Sequence, residues 1–402
     1  GGYRAIGILA DGNLAASVAN SGDVIAQGKY ANGIIAQSGQ GNATVDNSGL
    51  VGAYGKYAYG AQAISTLGDA LVTNSGSIYA VGDDLAVGAL AFSVEGNAAV
   101  DNTGLIQVDG YSLGYGVFVR ADYGSAAATN AGDIFAQSYY GNAVAIGARG
   151  LNASIDNSGN AYAIGYYGAV GAAAIGYDGA SVTNTGTIVA AAYLGDTTGI
   201  RAISPYGDVV VDNAGDVSSA SINYDAIGVL AYSLSGNASV NNDGAIYASG
   251  KYGQAVGIVA QGYTANVTGG GNVYAVADTQ GIGIQAQAVY GATVDVGGDI
   301  EVIANYNAIG IMAESLAGDA SVTSGGLIDV EGAYAFGIMV EAYGDATAVN
   351  NGSIDAYSGV GSAFGIYAFA EQGNASVDNA GDILADGQYT AAGVFSISVY
   401  GD

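Results

Sequence analysis

Apolar and polar residues alternate along this chain in short runs, and the same runs return at a fixed distance. Three kinds can be told apart. The first follows a Gly and places apolar residues two apart, as in Ile78 and Ala80, Ile188 and Ala190, and Ile300 and Val302. The second has the form A-[IVF]-G-[IV]-x-A and occupies residues 5–10, 226–231, 255–260 and 308–313. The third, A-x-V-x-N, occupies residues 43–47, 98–102, 238–242 and 375–379. A period of two predicts strands with one buried face. Gly, Asn, Asp and Ser cluster between the runs, as turns require, and no stretch of ten or more residues has helical spacing.

The third and first runs join in a phrase, V-x-N-[SAT]-G-x-I-x-A, read at residues 18–26, 72–80, 182–190 and 377–385. Counted from the residue after the Asn, copies begin at 21, 48, 75, 103, 131, 158, 185, 214, 243, 270, 297, 325, 351 and 380, a mean period of about 27.6 residues. One coil cannot bury its own apolar face, but stacked coils can. The prediction is all-β: a single uncapped parallel β-solenoid over residues 1–402, with about fourteen coils of 27–28 residues and three strands of about five residues in each. Strands stacked at about 4.8 Å would make a rod of roughly 70 Å, and parallel crossovers favour a right-handed wind. A β-propeller blade takes more residues and four strands.

Composition narrows the function. The 402 residues include 69 Gly, one Pro and no Cys, His or Trp, and 35 acidic against 7 basic residues give a formal charge of −28. A chain with no basic face is not expected to bind nucleic acid or an anionic membrane. Charge of one sign spread along the chain is expected to keep it soluble and to resist side-by-side association. Without Cys there is no disulfide framework and no thiolate metal site. The most apolar stretch, residues 163–177, is shorter than a bilayer span and interrupted by Gly, so no membrane insertion of this segment is expected. The chain has no initiating Met and no signal-like start, as expected of a processed product or a fragment.

The N-[SAT]-G-x-I phrase, repeated once per coil along nearly all of the chain, resembles the passenger domains of bacterial autotransporters and the filamentous-haemagglutinin-like adhesins. It loses its Asn at residues 269–271 and 296–298. The resemblance implies a right-handed β-helix, secretion to an extracellular or bacterial cell-surface location, and an adhesive role.

The candidate residues follow from the repeat. Asn47, Asn74, Asn102, Asn130, Asn157, Asn184, Asn213 and Asn242, with Asn20, Asn350 and Asn379, form a column of amides that can hydrogen-bond from coil to coil. Asn also tolerates the left-handed backbone of a sharp turn. Tyrosine is enriched, 31 against 7 Phe. Tyr30, Tyr57, Tyr111, Tyr139, Tyr166, Tyr193, Tyr224, Tyr252, Tyr306, Tyr334 and Tyr389 fall eight to ten residues into their coils. Tyr123, Tyr206, Tyr290, Tyr343 and Tyr400 precede a Gly at the next corner. A column of phenol rings can stack, and it can also offer glycans, another protein or a host or neighbouring cell surface an apolar area with a polar tip. Its main surface-recognition candidates are Tyr30, Tyr57, Tyr139, Tyr166, Tyr193, Tyr252, Tyr306 and Tyr334.

Acids recur at Asp23, Asp133, Asp216, Asp299 and Asp382, and at Asp46, Asp101, Asp156, Asp212 and Asp378. Most are separated by coils that are neutral there, and no calcium-binding nonapeptide array is present, so no metal site or cofactor is expected. Polysaccharide-cleaving β-helices need carboxylates at a fixed separation. Here only Asp83 and Asp84 are adjacent, and without His or Cys there is no Ser–His or Cys–His pair. Catalysis is not expected.

The leading functional expectation is an extracellular adhesive or structural rod. The alternative is a subunit of a self-assembling extracellular filament. Neither end of the sequence carries a helix, Pro-rich loop or charged run that would cover a terminal coil. End-to-end stacking with copies of itself, or continuation in a longer parent chain, is therefore expected.

Overall fold

The computed structural model describes residues 2–401. It is an all-parallel β-solenoid of about fourteen coils, with 36 strands and no helix among the described residues. By internal contacts it divides into two compact units, one of residues up to Gly195 with Gly199–Ile203, the other of Asp196–Thr198 with residues from Ser204 onward. Each unit has the same internal order: every coil lays its three runs on those of the coil before.

The register follows the repeat. In the first unit Val51 pairs with Ile78 and Ile78 with Ile106, both in parallel. In the second, Ile300 pairs with Ile328, and Ile328 with Ile354. Inward residues alternate with outward ones in each run, so Ala70–Asn74 and Ala98–Asn102 bury their first, third and fifth residues. The core is narrow and consists of Ala, Val and Ile columns, with the largest fully buried side chains all isoleucine.

Three separate strands per coil is too simple a picture. In some coils the first and second runs form one bent strand, as in Leu50–Ser65 and Ser77–Ser93; in others the second and third do, as in Asn142–Asn157 and Gln280–Val296. These corners bend without interrupting the ladder, and the one-residue slips between coils sit at them, at Gly55, Gly150 and Gly262. Gly is suited to such a bulge because it carries no side chain to place.

The Gly of the second run has a different reason. A Cβ built on Gly228 would overlap the Cγ2 of Ile246, and the same overlap arises between Gly88 and Ile106 and between Gly310 and Ile328. In each pair the large residue opens the first run of the following coil. The core is too thin to hold two side chains at that level, so Ile or Val fills the space that Gly leaves. At one junction between coils the two sizes are equal. Ala145, fully buried, stands where other coils have Gly, and Ala161 stands in the Ile column, between Ile134 and Ile188.

The Asn column closes each third run. From Asn20 through Asn157 every Nδ2 of the column donates to the Oδ1 of the next Asn at 2.8 Å, ending at Asn184. In the second unit Asn213 donates to Asn242, and Asn350 to Asn379, each at 2.7 Å. The same nitrogen reaches the carbonyl of the Gly two residues on, as from Asn102 to Gly104 at 3.1 Å. The expected left-handed backbone is absent, because no described non-Gly residue has positive φ. These Asn end extended strands, and their amides make the turn contact without a change of backbone region. The one positive φ among the described residues, +124°, belongs to Gly269, which takes the Asn position where the ladder stops. Val296 and Ser324 follow it in that column before Asn350 resumes. The two buried side-chain polar atoms without a partner among the described residues lie there: Ser324 Oγ and Asn350 Oδ1.

The size exchange makes a prediction. Gly228→Ala should lower stability by about 1–3 kcal/mol, the usual cost of overpacking, and adding Ile246→Ala should recover part of that loss. Thermal melts of the two single variants and the double variant check it. A strictly additive double variant would show that the two positions do not share one space.

Candidate functional site

The outward faces carry whatever chemistry this solenoid offers. Tyrosine comes first. The rings of the anticipated column are all at least partly exposed, but they do not form one column. Tyr30 and Tyr57 pair in register at the start of the second run, and the next residues there are Leu85, Leu113 and Asn142. Corner length varies from coil to coil, so equal counting in the sequence does not give equal placement.

The rings instead make short ladders. Tyr3, Tyr30 and Tyr57 follow one another at 5.2 and 5.0 Å, the second pair stacked at 7°. Tyr111, Tyr140, Tyr166 and Tyr193 follow at 4.8, 5.5 and 5.5 Å. Tyr140, not the anticipated Tyr139, makes the ladder contacts, while Tyr139 stays exposed beside it. In the second unit Tyr306 meets Tyr334 edge-on at 5.8 Å, and Tyr263 meets Tyr290 at 4.6 Å. Tyr252 lies under the ammonium of Lys251 at 5.2 Å. Tyr123, Tyr206, Tyr290, Tyr343 and Tyr400 are all exposed at their corners. Sequence counting missed Tyr3 and Tyr140, which the Tyr139-Tyr140 doublet could have suggested.

Lysine accompanies the first ladder. Lys29 sits over the rings of Tyr3 and Tyr30, Lys56 sits over Tyr57, and Lys56 Nζ bonds Asp84 at 3.0 Å. Beside them is an open groove of about 480 Å³, lined by Lys29, Tyr54, Lys56 and Asp83 among others. Hydrogen bonds from Lys56 and then Tyr57 hold the Asp84 carboxyl below the usual range.

The acids do more than solubilise. At the corner before the third run Asp69 Oδ1 accepts the N–H of Asn97, Asp208 that of Asn237 and Asp345 that of Asn374, each at 2.8 Å. Asn42 and Asn97 accept in the same way from Asp69 and Ser125. The G-[DN]-A corner is therefore a second coil-to-coil bond, which sequence reading had not singled out. Asp299 makes a similar bond at a different corner, between the turn Gly and the first run, accepting from Leu327 at 2.9 Å.

Some acids also stack directly. Glu301, Asp329 and Asp355 are in register in three successive coils, and Glu314 is in register with Glu341. Burial, then Asp355, Glu301 and Glu331, push the Asp329 carboxyl up, and burial followed by Glu314 does the same to Glu341. No group of three or more His, Cys, Asp or Glu suited to a metal ion occurs among the described residues, and no helix long and apolar enough to cross a membrane occurs among them.

These shifts fix a sign. A carboxyl whose pKa is raised by folding adds stability fully below its ordinary value near 4, and that contribution is lost as pH rises through the raised value. The lowered Asp84 acts oppositely, but its contribution is lost only as pH falls below about 4. Acidification from about pH 7.5 to 4.5 should therefore raise the melting temperature, and Asp329→Asn should shrink that rise. An Asp329→Asn protein with an unchanged pH response would contradict the acidic stack. Against known proteins, no family model matches this chain, and no curated protein or solved structure shows significant similarity to it.

Proposed function

We propose that this chain is an extracellular structural or adhesive solenoid, a stalk that presents repeated tyrosine-rich surface at a bacterial cell surface. The observation that carries this is the set of solvent-facing tyrosine ladders, with rings 4.8–5.5 Å apart from Tyr111 to Tyr193. Stacked rings held by a rigid sheet lose little freedom when a flat partner lies against them. A sugar ring offers such a face, with hydroxyls for the phenol tips. The likeness of the N-[SAT]-G-x-I repeat to passenger domains and filamentous-haemagglutinin-like adhesins supports the same reading.

The test uses beads coated with the chain and a panel of immobilised neutral and acidic polysaccharides. The wild type should be retained on at least one. The triple substitution Tyr140→Ser, Tyr166→Ser, Tyr193→Ser should weaken that retention by about tenfold or more, since each lost aromatic contact contributes roughly 0.5–1.5 kcal/mol, while the far-ultraviolet spectrum stays that of a β-solenoid. Retention by none of the polysaccharides, or undiminished retention of the variant, would contradict the adhesive reading.

A further inference from the structure

One outward face differs from the rest of the surface. In the second run, two outward positions flank the Gly and the inward residue that follows it, and both are mostly apolar. In the second unit Val256, Val259, Ile282 and Ile309 form an apolar cluster there, with Leu230, Met312, Phe336 and Met339 among the residues packed against it. In the first unit the same two positions hold Val87 and Leu90, then Tyr115 and Phe118, whose rings are 5.1 Å apart. These side chains lean on one another across the Gly: Val87, Val256, Val259, Ile282 and Ile309 are nearly covered, and Leu90, Phe118, Leu230, Met312, Phe336 and Met339 stay half-buried on the outer surface. Contiguous apolar surface of this kind marks a contact site.

The charges on this face are selective. All four arginines of the chain, Arg4, Arg120, Arg149 and Arg201, lie in second-run strands. Of the 35 acids only Asp11, Glu314 and Glu341 stand at second-run positions, with Asp83, Asp84 and Asp178 at the adjoining corners of such strands. Arg120 and Arg149 are in register one coil apart, two residues beyond Phe118 and Gly147. Glu314 and Glu341 are likewise in register one coil apart, two residues beyond Met312 and Met339. The first unit thus borders its apolar surface with a pair of cations, and the second borders the same strand position with a pair of anions at the same spacing.

We propose that this face is an interface between two copies of the chain, the apolar surface of the first unit of one copy packing on that of the second unit of another. With strands aligned and coil order opposed, Arg120 and Arg149 of one copy lie opposite Glu341 and Glu314 of the other. Facing sheets pack about 10 Å apart, a gap that long Arg and Glu side chains span from its edge. Six coils of eight-residue strands give a face of roughly 750 Å², close to the approximately 800 Å² per partner of a stable complex. The overall charge of −28 opposes association in general, but the acids that carry it lie almost wholly off this face. The complementary pairs therefore select this contact over any other lateral one.

Sedimentation equilibrium at micromolar concentrations tests it with two charge reversals. Wild type should sediment well above the single-chain mass of 39.3 kDa and dissociate at high salt. Arg120→Glu with Arg149→Glu, and separately Glu314→Arg with Glu341→Arg, should each weaken association at least tenfold. A one-to-one mixture of the two variants, and the variant carrying all four substitutions, should restore it. Arg120 also bonds Asp122 at 2.7 Å, so Arg149→Glu alone serves as a milder variant that leaves that bond in place. A wild type that stays single, variants that associate as the wild type does, or a mixture that fails to recover would each overturn the proposal.

Discussion

The buried amide ladder is the constraint on which the rest of this structure depends. Asn47, Asn74, Asn102, Asn130 and Asn157 are fully or almost fully out of contact with water, and each must find a partner or bear the cost of a buried unpaired amide. The partner exists only if the next coil arrives in register. A slip of one residue would bring Asp46 or Asp101 to the buried level and turn the amides to solvent. Apolar burial alone is a poor register device here, because Ala stacks on Ala nearly as well in several registers. The amides, and the corner bonds from Asp69, Asp208 and Asp345, make one register far better than its neighbours.

A second constraint acts at right angles to the first. The core is thin enough that Gly228 must lack a side chain for Ile246 to fit, and the Ala145 and Ala161 positions show the same space divided evenly. Together these fix both how coils follow one another and how the runs of neighbouring coils meet across the core. Uniformity along the solenoid follows from a few contacts repeated, and variety is left to the outward positions.

Much of this was legible in the sequence. Strict recurrence of V-x-N-[SAT]-G gave period, strand count and parallel pairing, because a motif that returns every coil leaves few other ways to bury its apolar positions. The glycine of A-x-G-x was visible as a pattern, but its reason, the overlap with Ile of the following coil, required the register in space. The tyrosines were only half legible. Their spacing suggested one column, while the slips at Gly55, Gly150 and Gly262 shift later rings off it and bring in Tyr140. The uneven sharing of charge between faces was hidden altogether, since net charge says nothing about which side of a strand a residue takes.

Coil register rests on the ladder, and equilibrium unfolding of two opposite substitutions measures it directly. Asn102→Ala breaks a complete run, leaving the Asn74 amide and the Asn130 carbonyl oxygen without their partners, and should cost about 1–3 kcal/mol. Ser324→Asn adds an amide beside the unpartnered Asn350 Oδ1 and should raise the unfolding midpoint. A midpoint unmoved by Asn102→Ala, or lowered by Ser324→Asn in a protein that still folds, would show that register in this solenoid is held by something other than its asparagines.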